Sequence, residues 1–327
     1  MSIASPLRRP VRLAGAAAVA LLALSACGET GGAADADAAP ASGAEVTIET
    51  NNGEMTVPQD PERVVVLDNT AMETVRDLGV APVAVPKQLL PSVGFAEWLE
   101  DDAILDVGTH REPNLEIINE AEPDLIIGGY RFEEYTEDLS DIAPVVDVAP
   151  DDERYVESLK EQTTTLGEIF AAEDVAAQLV ADLESAVEEA AAATDGQSVF
   201  LAVSSGGKID NGAGRIGRLL EPLDLVDVFA GEDLDDESVH QDSGLAPETV
   251  AQADPDWLIV LDRDAATATG EETTPARQII EAQEAWADLD FMTEDRIIVL
   301  DKDFYKREGI AAYTEAFTQI AEAFDAR

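Results

Sequence analysis

Cysteine is almost missing from this 327-residue chain, where Cys27 stands alone. One thiol forms no internal disulfide, so the folded part must be stabilised by its apolar core. Histidine is nearly as scarce, with only His110 and His240. A divalent transition-metal site normally draws on more imidazole or thiolate than that, which disfavours a receptor for free zinc or manganese. Positive charge is rare as well: 20 Lys and Arg face 69 Asp and Glu, for a net charge of −49. Such a field makes nucleic acid and anionic membrane surfaces poor partners, and it suits a salt-rich habitat that screens self-repulsion. A Gly-x-Ser-x-Gly elbow, a Walker-type loop and a paired-carboxylate motif are absent. An extracellular α/β hydrolase therefore has no recognisable nucleophile and base here.

What is present begins with a leader. Residues 1–26 hold Arg8, Arg9 and Arg12, no acid, and an apolar stretch from Leu13 to Leu24. This is the pattern of an export signal, too short and one-sided for a permanent membrane span. Leu24-Ser25-Ala26-Cys27 resembles the lipobox of bacterial lipoproteins, which implies acylation of Cys27 and a lipid anchor in the cell membrane. Without the leader the net charge becomes −52. Residues 27–44 are mostly Gly, Ala, Ser, Asp and Glu, too poor in apolar bulk to fold, and read as a flexible tether.

Beyond it, short apolar runs alternate with helical patterns. Arg63–Leu67, Val83–Val85, Leu105–Val107, Leu125–Ile127 and Val145–Val146 are continuous rather than alternating, which points to a parallel sheet covered on both faces. They define an N-terminal α/β lobe at 45–150. The spacing of Val156, Leu159, Leu166 and Phe170 predicts an amphipathic helix, and Val175, Leu179, Leu183 and Val187 predict a second of about 20 residues. At ~1.5 Å per residue that helix spans roughly 30 Å, a stiff spine at 151–194. Val199–Val203, Trp257–Leu261 and Ile297–Leu300 then repeat the alternation in a C-terminal lobe at 195–327. The fold class is α/β: two parallel-sheet lobes joined by a long rigid helix, with a ligand cleft between them.

One unit occurs twice. Glu116 stands seven residues before Pro123-Asp124 and Arg131 eight residues after Pro123, while Glu248, Pro255-Asp256 and Arg263 repeat the spacing. Each Arg should emerge past the carboxyl end of a buried strand, where open parallel sheets bind ligands. Arg215 lies in the glycine-rich Gly212–Gly217 turn, a setting suited to anions. Three Arg in one cleft would form a positive island whose planar donor forks fit anionic oxygens. The competing use of each Arg is a pair with a neighbouring acid such as Asp262, Asp264 or Glu133. Glu116 and Glu248 each open a helix, favoured there by the dipole, and their matched positions suit a partner with two-fold symmetry. His240 and Tyr305 lie in segments that can reach the cleft.

Pro61–Leu67, Leu78-Gly79-Val80, Pro86-Lys87-Gln88-Leu89-Leu90-Pro91, Glu112–Glu116 and Pro123–Ile127 together resemble the iron-siderophore solute-binding lipoproteins of ABC importers, from about residue 46 to the end. The resemblance implies a class III binding protein, with no resident cofactor and a ferric siderophore as transported ligand. It is similar to the ferric-catecholate branch, which implies ligand-facing roles for Lys87, Gln88, Arg131, Arg215 and Arg263, and direct iron coordination by His240 and Tyr305. Lys306-Arg307-Glu308 departs from the smaller residues usual after that Tyr. Glu116 and Glu248 resemble the pair that docks on arginines of a dimeric permease, which works with its ATPase. A ferric tris-catecholate is trianionic and hydroxamate complexes are mostly neutral or cationic, so the arginines favour the former. Ferric citrate-like chelates, haem and cobalamin are the alternative ligands for such a fold.

Overall fold

Each predicted apolar run contains a strand, and in the central strands alternate residues go to opposite buried faces. The computed structural model describes residues 44–91, 93–231, 245–268 and 273–326; Cys27, the leader and His240 lie outside them. In the first half, β1 (Glu45–Thr50) and β2 (Gly53–Pro58) form an antiparallel hairpin. The strands β3 (Val64–Val66), β4 (Ala84–Val85), β5 (Leu105–Asp106), β6 (Gly108–Thr109), β7 (Glu112–Pro113), β8 (Leu125–Gly128) and β9 (Val145–Asp147) follow. Five of them make a parallel sheet in the order β5-β4-β3-β8-β9. Val64, Val66, Leu125 and Ile127 enter one core, while Val65, Ile126 and Val145 enter another on the opposite face. Two covered faces explain why these strands read as unbroken apolar runs.

The second half repeats the plan with β10 (Gln197–Ser205), β11 (Lys208–Asn211), β12 (Leu225–Asp227), β13 (Trp257–Asp262) and β14 (Ile297–Val299). The order is β11-β10-β13-β14, with β12 also paired to β10, and all pairings are parallel except β10 with β11. Val199, Leu201, Trp257 and Ile259 face one core and Phe200, Ala202, Leu258 and Val260 the other. Trp257 stacks on Phe324 at 3.9 Å between centroids, which seats the C-terminal helix Ile310–Asp325 against this sheet.

The repeated Pro-Asp has a structural reason in both halves. Asp124 accepts the Glu62 and Arg63 backbone N–H groups at 2.9 and 3.0 Å. Asp256 accepts the Ser198 N–H and hydroxyl at 2.9 and 2.7 Å. Each Asp thereby fixes the start of its strand against the start of the neighbouring strand.

The spine is a pair of helices, Tyr155–Ile169 and Glu173–Ala193, close to the predicted spans. The chain breaks between them at Ala171, whose φ is 50°. Tyr155–Ile169 ties to both halves: Gln162 Nε2 donates to Thr70 Oγ1 at 2.9 Å and to the Val148 carbonyl at 3.2 Å, and the Tyr155 hydroxyl donates to the Glu308 carbonyl at 2.9 Å. The glycine-rich segment that holds Arg215 forms one α-helical turn at Ala213–Ile216, continued as a 3-10 turn to Leu220.

Candidate functional site

The carboxyl ends of the two sheets converge on a cavity of about 280 Å³, lined by His110, Arg111, Tyr130, Arg131, Arg215, Arg263 and Tyr305. Arg131 follows β8 through Gly129, whose φ of 89° and close approach to the Asp147 carboxylate leave no room for a Cβ. Arg263 follows β13 directly. Arg215 comes from the turn after β11, and Tyr305 from the helix Phe304–Arg307 after β14.

Tyr305 is the centre of the arrangement. The guanidinium carbons of Arg215, Arg263 and Arg131 lie 5.3, 5.5 and 5.9 Å from its ring centroid. Cation–π attraction to one ring partly offsets the mutual repulsion of three like charges. Arg263 Nη1 donates to Ser205 Oγ at 3.3 Å, and its Nε is buried with no hydrogen-bond partner among the described residues.

The neighbouring acids are engaged elsewhere. Asp262 accepts from Ser204 Oγ and from the Ala265 and Ala276 N–H groups, and Asp264 from the Gly206 and Gly207 N–H groups. Arg131 does have an ionic partner, which is Glu308 at 3.0 Å rather than the nearby Glu133. Burial works against the Arg131 charge, but Glu308, Tyr130 and Tyr305 together outweigh it and push the guanidinium pKa up.

Sequence reasoning overlooked His110, Arg111, Tyr130 and Glu308. His110 and Arg111 are the two-residue turn of the β6–β7 hairpin, which pairs Thr109 with Glu112. Two basic side chains at a turn tip of an acidic chain are the signal that was available. Burial, then the Arg131 and Arg111 charges, hold the His110 imidazole below its usual pKa, and its Nδ1 is buried without a partner among the described residues. The Tyr130 phenol is pushed up, by burial first and Glu308 second.

Lys87 and Gln88 are not in the lining. Lys87 Nζ donates to the Leu99 and Asp101 carbonyls at 3.3 and 2.8 Å, at the end of the helix Ala96–Glu100, and Gln88 is exposed. Their 3-10 turn spends the ammonium on a helix terminus, where a cation is favoured. Glu116 and Glu248 are exposed in the first turns of Leu115–Glu120 and Pro247–Ala253. Among the described residues no group of three or more His, Cys, Asp or Glu is placed to hold a metal ion. A larger groove of about 640 Å³ runs along Asn51, Glu161 and Glu184. Its cations are already matched, Arg154 by Glu161 and Lys160 by Glu157 and Glu184, so it offers an anion little.

A model described as "periplasmic binding protein" matches residues 64–304. The petrobactin-binding protein YclQ of Bacillus subtilis is 27% identical over 275 residues, 82% of this chain and 84% of that one. The ferric-anguibactin-binding protein FatB of Vibrio anguillarum is 27% identical over 226 residues, 67% and 69% of the two chains. The solved structure of the catecholate-siderophore-binding protein VctP of Vibrio cholerae superposes with a TM-score of 0.72 at 24% identity, covering 87% of this chain and all of that one.

Proposed function

Because this chain belongs to the periplasmic binding protein family, we propose that it is the substrate-binding component of an ABC importer and captures an anionic ferric siderophore, of catecholate type, outside the cytoplasm. The observation that carries this is the arginine-lined cavity at the carboxyl ends of both sheets, on a chain whose net charge is −49. Guanidinium groups in a part-buried site hold anionic oxygens through charge-assisted hydrogen bonds. Relatives that bind petrobactin and ferric anguibactin support the same ligand class.

In this reading Arg131, Arg215 and Arg263 grip the chelate, with Arg111 and His110 closing the first-lobe side. Tyr305 presents its phenol where a siderophore that leaves iron sites open would meet it, and His240 is its proposed companion. Glu116 and Glu248 dock on the dimeric permease, which its ATPase drives. Cys27 carries the lipid that keeps the protein at the membrane, with residues 27–44 as tether, lobes at 45–150 and 195–327, and the linker at 151–194. Titration calorimetry of the purified protein with ferric tris-catecholate, ferric tris-hydroxamate and ferric citrate tests the assignment. Saturable binding of the trianionic catecholate is expected; binding of the neutral hydroxamate alone would overturn the charge argument.

A further inference from the structure

Glu308 breaks two local rules at once. Its φ of 48° is left-handed, a conformation that side chains other than Gly disfavour. Its carboxylate is also buried, with 3% of the residue exposed, which is unfavourable unless the charge is matched. Strained and charged residues persist in such places where the surroundings over-determine them.

Here the surroundings are donors from the other lobe. Oε2 of Glu308 accepts from Arg131 Nη2 at 3.0 Å, from the Tyr130 hydroxyl at 3.3 Å and from Asn69 Nδ2 at 3.5 Å. The next residue, Gly309, packs so closely on the Thr70 carbonyl that a Cβ has no space. Glu308 is thus held at the crossing between lobes with its carboxylate aimed at a ligand-facing arginine. Packing alone does not ask for that charge: a Gly would relax the backbone, and the Arg131 side chain, 22% exposed, borders the cavity.

We propose that Glu308 is a specificity-determining residue. By pairing with Arg131 it holds the cavity one positive charge below its arginine complement, which tunes capture toward ferric chelates of lower negative charge and against the most highly charged ones. This rests on the anionic-siderophore reading above and deepens it.

The test titrates purified full-length protein and the variants E308Q, E308G and E308D with the ferric complex of a synthetic hexadentate tris-catecholate, at several salt concentrations. E308Q and E308G should each bind this trianion about tenfold more tightly than the unaltered protein at low salt, with a steeper salt dependence, because one unscreened charge is restored close to the ligand. E308D keeps the charge and should stay near the unaltered protein. E308G also relieves the backbone, so it carries the test if E308Q does not fold. Equal or weaker low-salt binding by the folded neutral variants overturns the proposal and leaves Glu308 a residue of the fold alone. Failure of the unaltered protein to bind any ferric chelate would instead overturn the anion-site reading, and this proposal with it.

Discussion

The two lobes deliver the same arginine from the same sequence unit and then treat it differently. On the second lobe, Arg263 meets the Ser205 hydroxyl, and the acids beside it serve backbone amides. On the first, Arg131 is paired with Glu308, and further buried acids, Asp68 and Asp147, lie behind that pair. Equivalent positions in a repeated unit thus diverge once each side of the cleft packs against its own surroundings. The second-lobe arginine lines the cavity with a hydroxyl as its hydrogen-bond partner, while the first-lobe arginine is also part of the interlobe contact.

The largest expected effect concerns the buried acids of the first-lobe side. Burial, opposed by hydrogen bonds from Thr70 and reinforced by the charges of Asp147 and Glu308, pushes the Asp68 carboxyl up to about 7 from an ordinary 3.8. Between those values the folded state holds a proton that the unfolded chain releases. The stabilising contribution is therefore complete below about pH 4 and is lost as pH rises through about 7. At ~1.4 kcal/mol per pKa unit this is on the order of 4 kcal/mol. Asp68→Asn should remove most of that slope, measured by denaturant unfolding at a series of pH values, while an unchanged slope would place the titration elsewhere.

Next comes the arginine pair itself. Arg131→Ala strands a buried carboxylate, and breaking such pairs costs about 3–5 kcal/mol when both partners are buried. With the guanidinium partly exposed, roughly 2–3 kcal/mol of stability should be lost here. Arg263→Ala should leave thermal stability nearly unchanged but weaken ferric-catecholate binding by about 1.5–3 kcal/mol for the charged hydrogen bond removed. Equal stability losses in the two variants would erase the distinction between the lobes. The smallest effect on the folded protein belongs to the exposed acids. Glu116→Ala with Glu248→Ala should alter stability by no more than about 0.5 kcal/mol and leave ligand affinity intact while siderophore uptake by cells falls. Lost affinity would place those acids in the pocket.

The sequence made the scaffold readable because both sheets are covered on two faces, which turns every core strand into a continuous apolar run such as Leu125–Ile127 or Trp257–Leu261. Arg131 and Arg263 were legible for a related reason: a buried strand must end, and a charged residue just past its carboxyl end marks where. Lys87 was not, since a run of residues does not reveal that its ammonium reaches the carbonyls of Leu99 and Asp101, twelve and fourteen residues on. Glu308 was invisible in its role because its partners, Tyr130 and Arg131, are nearly 180 residues away, and only the packing of one lobe on the other joins them. His110 escaped because a two-residue hairpin between strands of two residues each leaves almost no periodicity to detect.

The most direct test of the arginine-lined cavity is calorimetric titration of a ferric tris-catecholate into the unaltered protein and into Arg263→Ala, side by side. Saturable one-to-one binding that weakens by roughly 10- to 100-fold in the variant is the result expected of a cleft that holds an anion by its guanidinium groups. Equal affinity in the two proteins, or no binding to either, would contradict it.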